Sequence, residues 1–215
     1  MERERRRSAE GKMHLTRYSM YRQIAAALPL PLAGRILGIS GIENFYGIID
    51  RARSELVETS FPQVDMQSLP FPDEHFDVVI SDQVLAHLPD GRSAVKEAFR
   101  VLKAGGIGIH TTTWLNPIMP YPNDYSRFSC EGLKTICPDG VELLQCASWG
   151  NRIAFGLILL HNSFFRFLEV PERPSVRRWL ATYNDPNYPI HTWIVGRKLP
   201  SQSFAKDWEN GRGPI

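Results

Sequence analysis

The sequence lacks most features that would assign it to a class at once. It has three cysteines, Cys130, Cys137 and Cys146, and no Cys-x-x-Cys pair, so neither a disulfide framework nor a metal site is expected. A reduced, cytoplasmic protein is the default for such a chain. No stretch reaches the roughly 20 apolar residues of a spanning helix. Residues 153–170 form the most apolar run, but polar and charged side chains interrupt it.

Charge of one sign is also missing, because the net charge is only +2 over 215 residues. No basic stripe lies near a candidate cleft, so a nucleic-acid partner is not expected. The basic start, residues 1–7, is not followed by an apolar region and is therefore not a signal peptide. No Gly-x-Gly-x-x-Gly follows the first apolar strand, which argues against a nicotinamide-dependent dehydrogenase.

What the sequence does contain is enough apolar residues, 43%, for the core of one α/β domain. We predict a disordered basic arm at residues 1–12 and a single domain at 13–199. Residues 121–190 of that domain form substrate-side and insertion segments, and residues 200–215 form a flexible tail. We expect residues 153–170 to pack on the domain or to form a homodimer interface, with contact to a membrane surface as the alternative.

Strand and helix patterns alternate along the domain. Strands are predicted at 35–40, 55–59, 76–81, 107–113, 141–149 and 192–198, the last as an antiparallel edge. Helices are predicted at 13–28, after Asp90, and at 131–136, with Gly105 and Gly106 ending the second of them. The order predicts a doubly wound, mostly parallel sheet. Ligands bind such sheets beyond the carboxyl ends of the strands, which places a site at residues 40–44, 58, 65–67, 81–87 and 110–114.

The segment VDMQSLPFPDEHFDVVISDQVLAHLPDGRSAVKEAFRVLKAGGIGIHTT, residues 64–112, resembles the small class I methyltransferases of the type-11 kind. It covers about a quarter of the chain, with its motifs in the expected order and spacing. Residues 121–136 and 148–152 resemble substrate-side segments of a subset of these enzymes. The resemblance implies a seven-stranded Rossmann-like sheet, S-adenosylmethionine as cofactor and a small-molecule substrate.

The resemblance also implies cofactor-binding roles. Glu58 would bind the ribose hydroxyls, Asp65 would face the adenine amino group and Met66 would pack on the adenine ring. Ser81 and Asp82 would lie beside the methionine part of the cofactor. The implied cofactor-binding set is completed by the turn after the first strand, Ser40 and Gly41.

The sequence departs from the family pattern in the first strand. Gly38 stands where an acidic residue is expected, and of the usual glycine cluster only Gly41 remains. The missing acid normally helps to hold the amino group of the cofactor, and Glu43 is a candidate replacement.

Four residues are candidates for the chemistry. His87 would lie near the substrate entrance, where a histidine can act as a general base at physiological pH; His110 is a second such histidine, with a structural role as the alternative for both. Asp124, Tyr125 and Arg127 combine an acid, a phenol and a guanidinium. They could bind a polar or anionic substrate, or the two charged residues could simply pair with each other.

The leading interpretation is a methyltransferase acting on an O or N atom of a small polar or sugar-like metabolite. In-line transfer depends mainly on alignment, so no single catalytic residue need stand out. The alternative is a binding or scaffold protein whose cofactor site has decayed at Gly38. An open cavity next to Asp82 and His87 favours the enzyme, whereas a cavity filled by Ile42 or Phe45 favours the scaffold.

Overall fold

The computed structural model describes residues 14–166 and 168–200. The predicted basic arm and all but the first residue of the predicted tail lie outside these ranges. The strands are β1 (Leu32–Ile39), β2 (Ile49–Thr59), β3 (Phe76–Ser81), β4 (Leu102–Thr113), β5 (Val141–Trp149) and β6 (His191–Lys198). They form one sheet in the order β2-β1-β3-β4-β6-β5.

The first four strands in this order are parallel, and β6 is antiparallel to both of its neighbours. The prediction of an antiparallel strand near residues 192–198 is therefore confirmed, but its position was wrong. The β6 strand lies inside the sheet and β5 forms the edge. Both faces of β6 are covered along six of its eight residues, whereas β5 is largely half-buried or exposed. A continuous apolar run such as Trp193–Val195 is typical of a strand buried on both faces.

The described residues contain six strands, one fewer than the seven that the resemblance implied. Residues 60–75 form turns where a further strand would lie beside β2. Pro62, Pro70 and Pro72 fall in this segment, and proline cannot donate a hydrogen bond to a sheet. As a result β2 is an edge strand, and it carries exposed charged side chains that discourage pairing with another chain.

A second difference concerns Gly105 and Gly106, which do not end a helix. The helix ends at Arg100, and both glycines lie in the first part of β4. Gly105 has a φ of +81° where the register between β3 and β4 shifts. Glycine is suited to this bulge because it adopts positive φ without steric cost.

In the part of the chain that the structure describes, five α-helices cover the two faces of the sheet. They are α1 (Tyr18–Ala26), α2 (Gly91–Arg100), α3 (Cys130–Ile136), α4 (Arg152–Arg166) and α5 (Val176–Thr182). Helices α1, α4 and α5 share one buried cluster with the sheet, and α2 and α3 share the other. Asp90 caps α2 as predicted, accepting hydrogen bonds from the backbone N–H groups of Arg92 and Ser93. Helix α5 had no counterpart in the sequence prediction.

Helix α4 presents exposed apolar side chains, including Leu159 and Leu160, which are 67% and 75% exposed. The homodimer through residues 153–170 stays a prediction. None of the helices in the described residues has both the length and the apolar character needed to cross a bilayer.

Candidate functional site

A cavity of about 410 Å³ opens at the carboxyl edge of the sheet. It begins where β1 and β3 end, at Ser40 and Asp82. These strands are neighbours although they are not consecutive, so the cavity lies at the topological switch point, where doubly wound sheets bind ligands. The wall is completed by side chains from the 60s turn, the segment after β3 and the segment before α3: Phe61, Asp65, Gln67, Gln83, Val84, His87, Leu88, Pro89, Pro122, Asn123 and Tyr125.

Asp82 is the acidic group of this cavity that the fold holds most firmly. Its carboxylate is 7% exposed and accepts hydrogen bonds from Tyr21 Oη (2.6 Å), Thr111 Oγ1 (2.5 Å) and Asn44 Nδ2 (3.3 Å). Burial and then the neighbouring Asp82 raise the pKa of Tyr21 well above its ordinary range. Tyr21 therefore remains a donor, and all three donors are neutral. A buried carboxylate held only by neutral donors provides a fixed negative charge that favours a cationic ligand.

Gln83 links Asp82 by hydrogen bonds to His191, which lines a second, smaller cavity of about 190 Å³. Its Nε2 donates to Thr111 Oγ1 at 2.9 Å, and Thr111 in turn donates to Asp82. The remaining amide oxygen, Oε1, lies 3.2 Å from His191 Nδ1 and can only accept, so His191 donates. A hydrogen-bond chain thus runs from His191 through Gln83 and Thr111 to Asp82, and it fixes the amide orientation of Gln83.

Backbone strain is concentrated at the cavity. Among the described residues, three non-glycine positions have positive φ, and two of them, Ser40 (63°) and Gln83 (61°), line the cavity directly after β1 and after Asp82. Such conformations cost on the order of 1–3 kcal/mol each and persist where the surroundings impose them. Both therefore place backbone and side-chain groups of the wall in fixed positions.

His87 lines both cavities. The second cavity, of about 190 Å³, shares His87 and Gln83 with the first. His87 Nδ1 lies 2.9 Å from the carbonyl oxygen of Asn123, which can only accept, so Nδ1 carries the proton. In the neutral ring Nε2 then holds the lone pair, which is the state a general base requires.

The predicted cofactor residues fall into two groups. Ser40, Asp65 and Asp82 line the larger cavity, and Asp65 accepts hydrogen bonds from the backbone and side chain of Gln67. The other four are not among its lining residues. Glu58 accepts hydrogen bonds from Tyr46 Oη on both oxygens, at 3.0 and 3.1 Å. Met66 is 2% exposed in the core, Ser81 is fully buried against His110, and Gly41 lies beside the Glu43 carboxylate.

Gly38 is covered by a neighbouring side chain. A Cβ added to Gly38 would lie 2.8 Å from both Cγ1 and Cδ1 of Ile42. Ile42 and Phe45 are 0% and 1% exposed and pack into the core. Neither residue lines the cavity next to Asp82, so the change at Gly38 is compensated by Ile42 without filling the site.

Of the four residues predicted to take part in the chemistry, two line the larger cavity and two do not. His87 and Tyr125 line the larger cavity. Asp124 and Arg127 form a bidentate ion pair with each other, with Arg127 Nη2 2.5 Å from Asp124 Oδ2, and Arg127 is the main cause of the lowered pKa of Asp124. Asp124 also accepts from the N–H of Met119. The pair stabilises the segment that docks on Ala86 through the N–H of Tyr125, which is the structural alternative left open by the sequence.

His110 lies away from both cavities, fully buried, with Nδ1 2.8 Å from Ser81 Oγ. Burial lowers its pKa from 6.5 to about 4. The folded state therefore keeps this ring neutral at pH values where the unfolded chain takes up a proton. The associated stability is present above pH 6.5 and is lost as the pH falls from 6.5 towards 4.

We expect the free energy of unfolding to fall by about 2 kcal/mol between pH 7 and pH 5 because of His110. Urea denaturation at the two pH values measures this change. The variant His110→Asn keeps a hydrogen-bonding group near Ser81 but cannot titrate, so it should lose that part of the pH dependence. An identical pH dependence in both proteins would contradict the assignment to His110.

Sequence reasoning missed Tyr21 as a group that holds Asp82, and it missed Arg17 and His191 in the smaller cavity. Thr111 fell within the predicted range 110–114, but no role was predicted for it. Tyr21 comes from α1, about 60 residues before Asp82, and Thr111 comes from the adjacent strand. No local motif marks them, since their role depends on the packing of α1 against the carboxyl edge of the sheet. Gln83 carried a weak signal, as a polar residue directly after the buried β3 and Asp82.

Comparison with known proteins shows similarity to methyltransferases. Residues 24–109 match the family model described as a methyltransferase domain. The sequence is 34% identical to the sterol 24-C-methyltransferase of Aspergillus fumigatus over 124 residues. The aligned residues make up 56% of this chain and 30% of the Aspergillus protein. The sequence is 30% identical to the phosphatidylethanolamine N-methyltransferase of Cereibacter sphaeroides over 89 residues. These residues make up 39% of this chain and 44% of the Cereibacter protein. The chain thus spans less than half the length of these relatives.

The fold agrees with the sequence matches. A Listeria monocytogenes protein assigned as an S-adenosylmethionine-dependent methyltransferase superposes with a TM-score of 0.53 at 13% identity, over 86% of this chain and 99% of that one. The strand order and the cavity at the switch point define a class I methyltransferase fold. The matched residues 24–109 are similar to a methyltransferase domain, and the cofactor of such domains is S-adenosylmethionine.

Proposed function

We propose that the chain binds S-adenosylmethionine in the larger cavity and transfers its methyl group to an O or N atom of a small polar or sugar-like metabolite. The observation that carries the proposal is the open cavity of about 410 Å³ next to the Asp82 carboxylate. This volume falls in the range of about 300–1,000 Å³ typical of small-molecule sites. The family match supports the reaction class.

The lining residues fit the cofactor at both of its ends. Asp82 supplies a fixed negative charge for the cationic methionine part, and Asp65 supplies acceptors for the adenine amino group. Phe61, which is 64% exposed, offers a ring for stacking on the adenine in place of the core residue Met66. Glu58 is not among the lining residues, but it keeps its proposed ribose role, because each carboxylate oxygen has a second lone pair beside the one that Tyr46 uses.

When bound, the cofactor supplies an activated methyl group. The contribution of the chain is to align the acceptor and to exclude water. We assign His87 Nε2 as the group that takes a proton from an acceptor hydroxyl or amine, because its ring lines both cavities and Nδ1 already donates to Asn123. Tyr125 is proposed to border the entrance, where its side chain is 51% exposed.

A small polar acceptor is supported by the second cavity, whose lining is rich in histidine, threonine and amide side chains. The names of the two relatives refer to a sterol and to phosphatidylethanolamine, and those acceptors belong to proteins of which this chain covers less than half.

The second candidate function is a binding or scaffold protein. It is favoured by one observation, the packing of Ile42 over Gly38, since the acid that normally stands in the first strand is absent. Because Ile42 does not enter the cavity beside Asp82, the enzyme remains the better supported function.

Isothermal titration with S-adenosylmethionine and S-adenosylhomocysteine tests the proposal. We expect both ligands to bind at micromolar concentrations. If neither binds at millimolar ligand, the chain is not a methyltransferase, and the scaffold function takes its place. Cofactor that remains bound through purification would count decisively against the scaffold.

A further inference from the structure

We propose that the smaller cavity is the acceptor subsite and that it selects a compact organic acid, a molecule with a carboxylate beside the atom to be methylated. This inference rests on the proposed function and names the substrate class. The cavity has a volume of about 190 Å³ and is lined by His14, Thr16, Arg17, Gln83, His87, Thr113, Asn116, Met119 and His191.

The position of the cavity suits an acceptor. It shares Gln83 and His87 with the larger cavity, so these two side chains border both the acceptor and the proposed cofactor position. The strained backbone of Gln83, with a φ of 61°, and its hydrogen bonds to Thr111 and His191 hold the dividing wall in place. An acceptor would therefore meet a rigid surface on the cofactor side.

The charge of the cavity favours an anion. Arg17 contributes a permanent positive charge, and no carboxylate is among the lining residues. Arg17 also occupies the N-cap of α1, whose first turn has no acidic residue, so the positive end of the helix dipole adds to the guanidinium. Asp82 is separated from the cavity by Gln83. Arg17 also interacts with Tyr21, the residue that donates to Asp82, so its guanidinium lies at the border of the two cavities. It is the charged side chain that lines the smaller cavity, whereas Asp82 lines the larger one.

The histidines add hydrogen bonding of defined direction. His87 and His191 both use Nδ1 to donate to protein oxygens, Asn123 O and Gln83 Oε1. These two hydrogen bonds fix the orientation of both rings at the wall of the cavity. Burial and then Arg17 lower the pKa of His14, so this ring is neutral at pH 7 and the permanent charge of the cavity is that of Arg17.

The size of the cavity separates this acceptor from a lipid. A space of about 190 Å³ is below the range of roughly 300–1,000 Å³ found for drug-sized ligands, so it accommodates a ring or a short chain with one charged group. A compact acid satisfies both the volume and the charge, whereas a sterol satisfies neither.

The test compares acids with their neutral amides. Lactate, 2-hydroxybenzoate and 4-hydroxybenzoate, each paired with its amide, are titrated by calorimetry against the full chain with and without saturating S-adenosylhomocysteine. We expect at least one acid to bind ten times more tightly than its amide. This preference should fall below threefold in Arg17→Gln and should be retained in Arg17→Lys. Arg22→Gln is the matched control, because Arg22 is an exposed residue of α1 that lines neither cavity.

The outcomes separate this inference from the proposed function. If S-adenosylhomocysteine binds but no acid is preferred to its amide, or if Arg17→Gln keeps the preference, the acid subsite is wrong and the methyltransferase stands. If S-adenosylhomocysteine does not bind, the proposed function fails, and the titrations without it still decide whether the smaller cavity binds acids.

Discussion

Asp82→Asn is expected to weaken the binding of S-adenosylmethionine by about 30-fold, equivalent to about 2 kcal/mol. The substitution keeps the shape of the side chain and removes its charge. Asparagine can still accept from Tyr21 or Thr111, so the fold should persist, although one of the short contacts, at 2.6 and 2.5 Å, becomes a donor–donor contact. The cofactor then loses the anion opposite its cationic end. S-adenosylhomocysteine, which has one cationic centre instead of two, should lose less.

Calorimetric titration of both ligands measures this effect, and thermal unfolding confirms that the variant is folded. Asp77→Asn is the matched control, because Asp77 lies near the opposite end of β3 and pairs with Lys103 at 2.8 Å. It should leave the dissociation constants unchanged. Equal affinities in Asp82→Asn and in the original chain would show that Asp82 does not face the cation, and the placement of the cofactor would have to be abandoned.

Gly38→Asp, which restores the usual acid of the family in β1, is expected to destabilise the protein by about 3 kcal/mol. The new Cβ would meet Ile42 at 2.8 Å, and the carboxylate would be buried in the centre of the sheet between β2 and β3. Gly38→Ala introduces the steric clash without the buried charge and should lower the free energy of unfolding by about 1–2 kcal/mol. Urea denaturation measures both values.

A double-mutant cycle with Ile42→Ala separates the steric clash from other effects. Ile42→Ala alone should destabilise the core by about 2–5 kcal/mol, but it removes the atoms that a Cβ at position 38 would meet. The pair Gly38→Ala with Ile42→Ala should therefore be more stable than the sum of the single changes by over about 1 kcal/mol. Strict additivity would mean that Ile42 does not compensate for the missing acid.

Local patterns predicted the elements whose determinants lie close together in the chain. The bounds of β3 and β5, the Asp90 cap and the short helix α3 follow from apolar runs and capping residues within a few positions of each other. The starts of α1 and β4 were less well predicted, because His14–Arg17 and Gly105–Gly106 obey helix rules locally while contacts with other elements decide their conformation. The position of β6 inside the sheet also depends on long-range pairing.

In the candidate site, too, the sequence indicated some residues, and others are recognised only in the folded structure. The resemblance indicated Ser40, Asp65, Asp82 and His87, and all four line the larger cavity. It could not indicate that Asp124 and Arg127 pair with each other, because a chain segment that reads as polar and exposed can equally be closed by its own ion pair. Nor could it indicate Tyr21 or Arg17, which reach the site only because α1 packs against the carboxyl edge of the sheet.

The sequence by itself indicated the resemblance to methyltransferases, the parallel core of the sheet and the edge at which the cavity lies, because apolar periodicity and short motifs act over a few residues. Only the tertiary structure decided how the cavity is charged, which groups hold Asp82, and that Ile42 covers Gly38 without closing the site. The groups around Asp82 and Gln83 come from positions 61 and 108 residues apart, and Ile42 reaches Gly38 across the turn after β1. The folded chain alone sets these distances.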